Sequence, residues 1–163
     1  MEKENLLKTA YSILRKTTPL SFDCGLLCGG KCCKGDDDTG MILFPGEENL
    51  IDETITVKER ADGIKIAVCG GSCDRNKRPL SCRIYPLFPM VYKDDYGNDR
   101  VTAVFDIRAE CPISKGDYAF QKSFIKSVRR AGKYLLLNDE TKEVCKKISE
   151  EVEERYKLLE KLI

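Results

Sequence analysis

The 163-residue chain has no histidine and no tryptophan. Without imidazole there can be no Cys₂His₂ zinc finger, no Cys–His nucleophilic pair and few of the known hydrolytic zinc centres. No apolar run approaches the roughly 20 residues that a membrane-crossing helix needs. Residues 1–16 are charged and amphipathic, without the apolar stretch of a secretory signal. Also missing are a phosphate-cradling glycine loop, Gly-x-Ser-x-Gly, His-Glu-x-x-His and a thioredoxin-type Cys-x-x-Cys. The sequence therefore assigns no reaction, and whether the protein is an enzyme stays open. Its net charge is only +1, which supplies no global field for polyanions. Neither nucleic acid nor a membrane is expected as a partner, and no protein partner is indicated.

What the chain does have is cysteine, nine in all. A cytoplasmic location is expected, where thiols stay reduced and clustered cysteines point to metal binding or catalysis rather than to disulfides. Cys32 and Cys33 are adjacent, with Cα atoms about 3.8 Å apart. That is below the usual disulfide range of about 4.4–6.8 Å. Hydrophobic content of 42% with 34% charged residues suits one globular domain with a modest core.

Periodicity outlines the elements. Leu6, Leu7, Ala10, Ile13 and Leu14 predict an N-terminal helix over residues 2–16, ended by Thr17, Thr18 and Pro19. Residues 21–40 are rich in Cys, Gly and Asp and read as a loop. Asp36, Asp37 and Asp38 lack EF-hand spacing and read as a solvated turn. A short strand is expected over 41–44 and a short helix over 47–52. Strands over 54–58 and 64–68 flank Ala61-Asp62-Gly63, which is hairpin chemistry. Residues 82–89 read as extended, because Pro86 and Pro89 block a helix and interior ladder bonds. A second hairpin pairs 90–93 with 101–106. Residues 115–137 and the stretch after Asn138-Asp139 read as two helices forming a hairpin.

The cysteines group by spacing. Cys28-Gly-Gly-Lys-Cys32 and Cys69-Gly-Gly-Ser-Cys73 repeat one pattern, in which two glycines let a short loop turn both thiols toward one point. Three intervening residues fall within the two to four usual for thiolate pairs on zinc. With Cys24, Cys33, Cys82 and Cys111 they make eight candidate metal ligands, enough for two tetrathiolate sites or one richer cluster. Lys31, Lys34, Arg75, Lys77, Arg78 and Arg83 lie among them and would favour the thiolate form. Cys145 falls on a helix far from the group and reads as a packing residue.

At these residues the chain resembles the CxxCxxCC family, described as zinc- or iron-chelating domains. The matching pieces are Cys24, Cys28 and Cys32-Cys33, then Phe44-Pro45-Gly46-Glu47-Glu48, then Cys69 and Cys73. The strongest is Arg78-Pro79-Leu80-Ser81-Cys82-Arg83-Ile84-Tyr85-Pro86, similar to an Arg-Pro-x-x-Cys-Arg-x-aromatic-Pro signature. The likeness covers residues 24–90 and implies that the cysteines chelate zinc or iron. Flagellin lysine N-methylases are similar in this region, which implies as the alternative an iron–sulfur cluster enzyme or electron-transfer module. Tyr85, Phe88 and Tyr92 would line such a cluster. A third reading is an interaction module on the helical pair, with Tyr118, Arg129 and Arg130 as contacts. The expected architecture is a small single α+β domain spanning 1–163. It would have a Cys-rich metal-bound loop core over 24–111, short antiparallel hairpins, and helical flanks over 1–17 and 115–163. The expected cofactor and partner is a metal ion, zinc or iron, held by Cys24, Cys28, Cys32, Cys33, Cys69, Cys73, Cys82 and Cys111.

Overall fold

The computed structural model describes residues 2–21, 24, 30, 40–108, 111, 113 and 119–162. Helix α1 (Lys3–Leu14) buries Leu6, Leu7, Ala10 and Leu14, the stripe that a 3.6-residue period requires. Strand β1 (Met41–Ile42) leads through Gly46, which has a positive φ of 96°, into a single 3₁₀ turn at Glu47–Asn49. Strands β2 (Thr56–Glu59) and β3 (Lys65–Val68) pair antiparallel, and β1 pairs with the far side of β3, giving the order β1-β3-β2. The connection over residues 60–64 is closed by Arg60 N–H to the Ile64 carbonyl at 2.8 Å. Gly63 takes the left-handed turn position at φ 86°.

A short helix, α2 (Leu80–Ile84), follows Pro79. Strands β4 (Leu87–Lys93) and β5 (Asp99–Phe105) then pair along their whole length, from Leu87 opposite Phe105 to Lys93 opposite Asp99. Their turn is organised by Asp94, whose Oδ1 accepts from the Tyr96 and Asn98 amides at 2.9 and 2.8 Å. This corrects the extended reading of residues 82–89 in two ways. The stretch begins as a helix, and Pro89 sits inside a ladder opposite Ala103. The physical reason is that β4 pairs on one side only. The Val91 amide, two residues on, points outward to Ser149 Oγ at 2.9 Å. The Pro89 nitrogen shares that orientation, so no ladder bond is lost.

Helix α3 (Lys122–Leu135) packs between α1 and the β4–β5 hairpin. The closest approach is at Gly132, where an ideal Cβ would stand 2.5 Å from Pro89 Cβ and 2.8 Å from Val101 Cγ1. Helix α4 (Asp139–Leu162) is capped by Asn138, whose Oδ1 accepts from the Glu140 and Thr141 amides at 3.0 and 3.2 Å. It buries Thr141, Val144, Cys145, Ile148, Ser149 and Val152 against the outer edge of β4. Leu6, Leu7, Phe44, Leu80, Ile84, Phe88, Phe124, Val128, Ile148 and Val152 belong to one apolar core. The architecture is a small α+β arrangement with an N-terminal helix, short antiparallel strands and C-terminal helical packing. Among the described residues no metal-bound cysteine loop is evident, which removes that part of the expected fold. No described helix is long and apolar enough to cross a membrane.

Candidate functional site

Of the cysteines expected to share a metal, the described ones fall at several places rather than at one focus. Cys24 and buried Cys111 associate with the small apolar cluster of Leu20 and Ile113, beside Tyr85 and Phe120. Cys73 packs on a different cluster, formed by Leu43, Ile55 and Ala67. Cys69 follows β3, its thiol 3.6 Å from the Ser72 carbonyl. Cys82 lies half-buried in α2. Cys145 is fully buried in α4, and that burial pushes its thiol up to about 12. Cys28, Cys32 and Cys33 lie outside the described residues. Among the described residues no three Cys, Asp or Glu side chains are grouped so that they could hold a metal ion. The zinc or iron cofactor, the metal-ion partner and the iron–sulfur alternative are corrected accordingly. The reason is physical. A thiol is a small apolar group that packs as readily as it ligates, and spacing along a loop does not set distance in space.

Of the cations read as counter-charges for thiolates, Arg83 is engaged elsewhere. Arg83 donates to the carbonyls of Arg78 at 2.9 Å, Asn76 at 3.0 Å and Arg75 at 3.2 Å, and stacks its guanidinium 4.7 Å from the Tyr11 ring centre. The aromatics proposed to line a cluster do not gather on one site, although Tyr85 packs beside Cys24 and Cys111. Phe88 is in the main core and Tyr92 is exposed.

Glu47 is a fully buried carboxylate. Its carboxylate accepts from Tyr11 Oη at 2.6 Å, from the Phe44 amide at 2.7 Å and from the Leu80 amide at 2.8 Å. Burial raises its pKa to about 7, against the lowering effect of those donors. The Leu80 amide is one of the orphan donors at the start of α2, so Glu47 fastens α1, the 44–47 turn and α2 together. A fully buried carboxylate with three intramolecular donors is a structural joint, not a group open to substrate.

Among the described residues two grooves are prominent on the surface. One, about 320 Å³, has Ile42, Ile66, Ile84 and Phe88 in its walls and Arg60 and Arg108 at its mouth. Both guanidiniums are committed. Arg108 grips Asp106 and reaches Glu151 at 3.0 Å, and Arg60 pairs with Asp62 and Glu151. The other, about 450 Å³, is lined by Lys3, Glu48, Lys65 and Glu140. It is crossed by the ion pairs Lys3–Glu140 at 2.7 Å and Lys65–Glu48 at 2.8 Å.

The outer face of α3 is different. Lys122, Lys126, Arg129, Arg130 and Lys133 are all exposed. At 100° per residue they fall within a sector of about 100°, and at 1.5 Å per residue they span about 16 Å. Phe124, Val128, Ala131 and Leu135 take the opposite side into the core. No Asp or Glu occurs from residue 119 to 138. None of the five cations has an ion pair among the described residues, whereas α1 and α4 carry i,i+4 pairs at Lys8–Glu4 and Lys157–Glu153. Gln121 ties the start of α3 to the segment after α1. Its amide donates to the Pro19 carbonyl at 2.9 Å, and its side chain to the Thr18 and Leu20 carbonyls at 3.0 and 2.6 Å. Of the contacts expected on the helical pair, Arg129 and Arg130 are exposed, and Tyr118 lies outside the described residues. Sequence reasoning registered those two arginines but not the stripe. Its signal was the run of basic residues at i, i+4, i+7, i+8 and i+11 with no acid between, hidden by a net charge near zero.

Comparison with family models, with curated proteins and with solved structures finds no match. The chain is therefore not assigned to the CxxCxxCC family, and the chelating role that the resemblance implied falls with it.

Proposed function

We propose that the chain is a docking module that holds a polyanionic macromolecule against the outer face of α3. The observation that carries this reading is the concentration of five exposed cations in one sector of one helix, with no acid in the helix and no ion pair to any of the five among the described residues. Such a face has a cost. Like charges three and four apart destabilise a helix by about 0.2–0.5 kcal/mol each. The pairs 122–126, 126–129, 126–130, 129–133 and 130–133 together cost on the order of 1–2 kcal/mol on that scale. An anionic partner relieves this repulsion and gains from the field. The helix is held rigidly by its apolar side, so the charges are presented without an ordering penalty on the backbone.

Heparin, a sulfated polyanion, is a direct probe. The protein should be retained on immobilised heparin and eluted by salt. The triple variant Lys126→Gln/Arg129→Gln/Arg130→Gln should elute at clearly lower salt. The control Lys147→Gln/Lys157→Gln/Lys161→Gln changes net charge equally on α4 and should elute as the parent does. Equal displacement by both variants would reduce the stripe to bulk charge and overturn the reading.

A further inference from the structure

Resting on that reading of α3, we infer that the polyanion is double-helical nucleic acid, gripped chiefly through its phosphate backbone. The chemistry of the face selects among anions. The 100° sector contains only Lys and Arg, flanked by Ser123 and Ser127. Lys, Arg and Ser are phosphate-contacting side chains, and the sector carries no Asn or Gln to pair with an adenine edge.

A protein partner fits poorly. Protein interfaces are built around buried aromatic or apolar anchors and are depleted in Lys. Among the described residues Leu137 is a single exposed apolar side chain adjoining the C-terminal end of the stripe, and Leu158, Leu159 and Leu162 lie at the end of α4, so no apolar anchor sits within the stripe. A bilayer fits poorly as well. Helices that lie in a membrane surface insert their apolar face, and that face of α3 is already buried as Phe124, Val128, Ala131 and Leu135. Single strands are held by stacking bases on aromatic rings, and the sector has none. A duplex needs none of these. It offers one phosphate charge per about 1.7 Å of axis, so a straight row of cations about 16 Å long meets a dense, rigid line of charge. The +1 total had argued against nucleic acid. It does not bear on this face, because the acidic surplus lies in the rest of the chain.

The test is fluorescence anisotropy with labelled short DNA and RNA duplexes of mixed sequence. Phosphatidylserine vesicles, poly-glutamate and a single-stranded homopolymer serve as competitors. Either duplex should bind with little dependence on base sequence, and the logarithm of affinity should fall with the logarithm of salt concentration with a slope of about −4.5 for five contacts. The Lys126→Gln/Arg129→Gln/Arg130→Gln variant should lose about 2.7 from that slope. Circular dichroism would confirm that it keeps its fold. If heparin is bound through α3 and both duplexes are not, the inference fails while the docking reading stands. If neither heparin nor duplex binds, both fail. Vesicles, poly-glutamate or single strands competing better than duplex would overturn the inference in favour of that partner.

Discussion

The Tyr11 hydroxyl donates to the fully buried Glu47 carboxylate at 2.6 Å. The contact joins the first helix to a turn 36 residues later, at a point where two backbone amides also converge. Removing either partner leaves buried donors or an acceptor without compensation. Tyr11→Phe should cost about 1–2 kcal/mol, and Glu47→Ala, which strands three donors, on the order of 3 kcal/mol or more. Urea unfolding of the two variants checks this. Equal and negligible losses would show that the joint is not structural.

The same carboxyl sets a pH window. Burial raises its pKa from 4.5 to about 7 in the folded chain. The folded state therefore holds a proton between those values that the unfolded chain releases. Stabilisation from this group is complete below 4.5 and is lost as pH rises through about 7. Asp52 and Asp94 act in the opposite sense. Backbone amides on Asp52, and Arg100 beside Asp94, hold both carboxyls near 2. Their contribution is present above the usual 3.8 and is lost as pH falls toward 2. Unfolding free energy between pH 5 and 8 should thus slope downward with pH in the parent chain. The slope should be shallower in Glu47→Gln, with no change near pH 3.

Gly132 should resist the usual improvement. Replacing a mid-helix glycine with alanine gains about 1 kcal/mol of helix propensity. Here the new Cβ would lie 2.5 Å from Pro89 Cβ and 2.8 Å from Val101 Cγ1, and overpacking of that kind costs about 1–3 kcal/mol. Gly132→Ala should lower Tm. Combining it with Val101→Ala should be less destabilising than the sum of the single changes.

The α3 stripe separates stability from binding. Lys126→Glu would turn three like-charge neighbours, Lys122, Arg129 and Arg130, into opposite-charge ones. At a few tenths of a kcal/mol per pair it should stabilise the helix by about 1–2 kcal/mol. The same substitution should abolish retention on heparin at moderate salt. A variant that melts higher and binds as before would mark the stripe as an ordinary solvated surface.

Ser149 offers a smaller test of how α4 closes the edge of β4. Its hydroxyl accepts from the Val91 amide at 2.9 Å and donates to the Cys145 carbonyl at 2.6 Å. Ser149→Ala should cost about 1–2 kcal/mol by stranding the Val91 N–H. Faster amide exchange at Val91 would locate the loss.

Much of the secondary structure was legible because it follows from local rules. The stripe of Leu6, Leu7, Ala10 and Leu14, the turn at Asp62-Gly63 and the cap at Asn138 each report a period or a backbone need carried by adjacent residues. The ladder through Pro89 was not legible, because which side of a strand is open depends on what pairs with it. Glu47 stood at the start of an expected short helix, with nothing local to mark it for burial. Its burial is imposed by Tyr11 and Leu80, 36 residues before it and 33 after. The described cysteines misled for the converse reason, since spacing along the chain fixes no common focus in space.

By itself the sequence determined the helices, the two hairpins and the absence of acid along α3, because period, turn chemistry and charge are written residue by residue. Tertiary structure alone decided where each described thiol came to rest and which carboxylate was sealed in. Those outcomes depend on how distant segments share one apolar interior, and no local pattern carries that information.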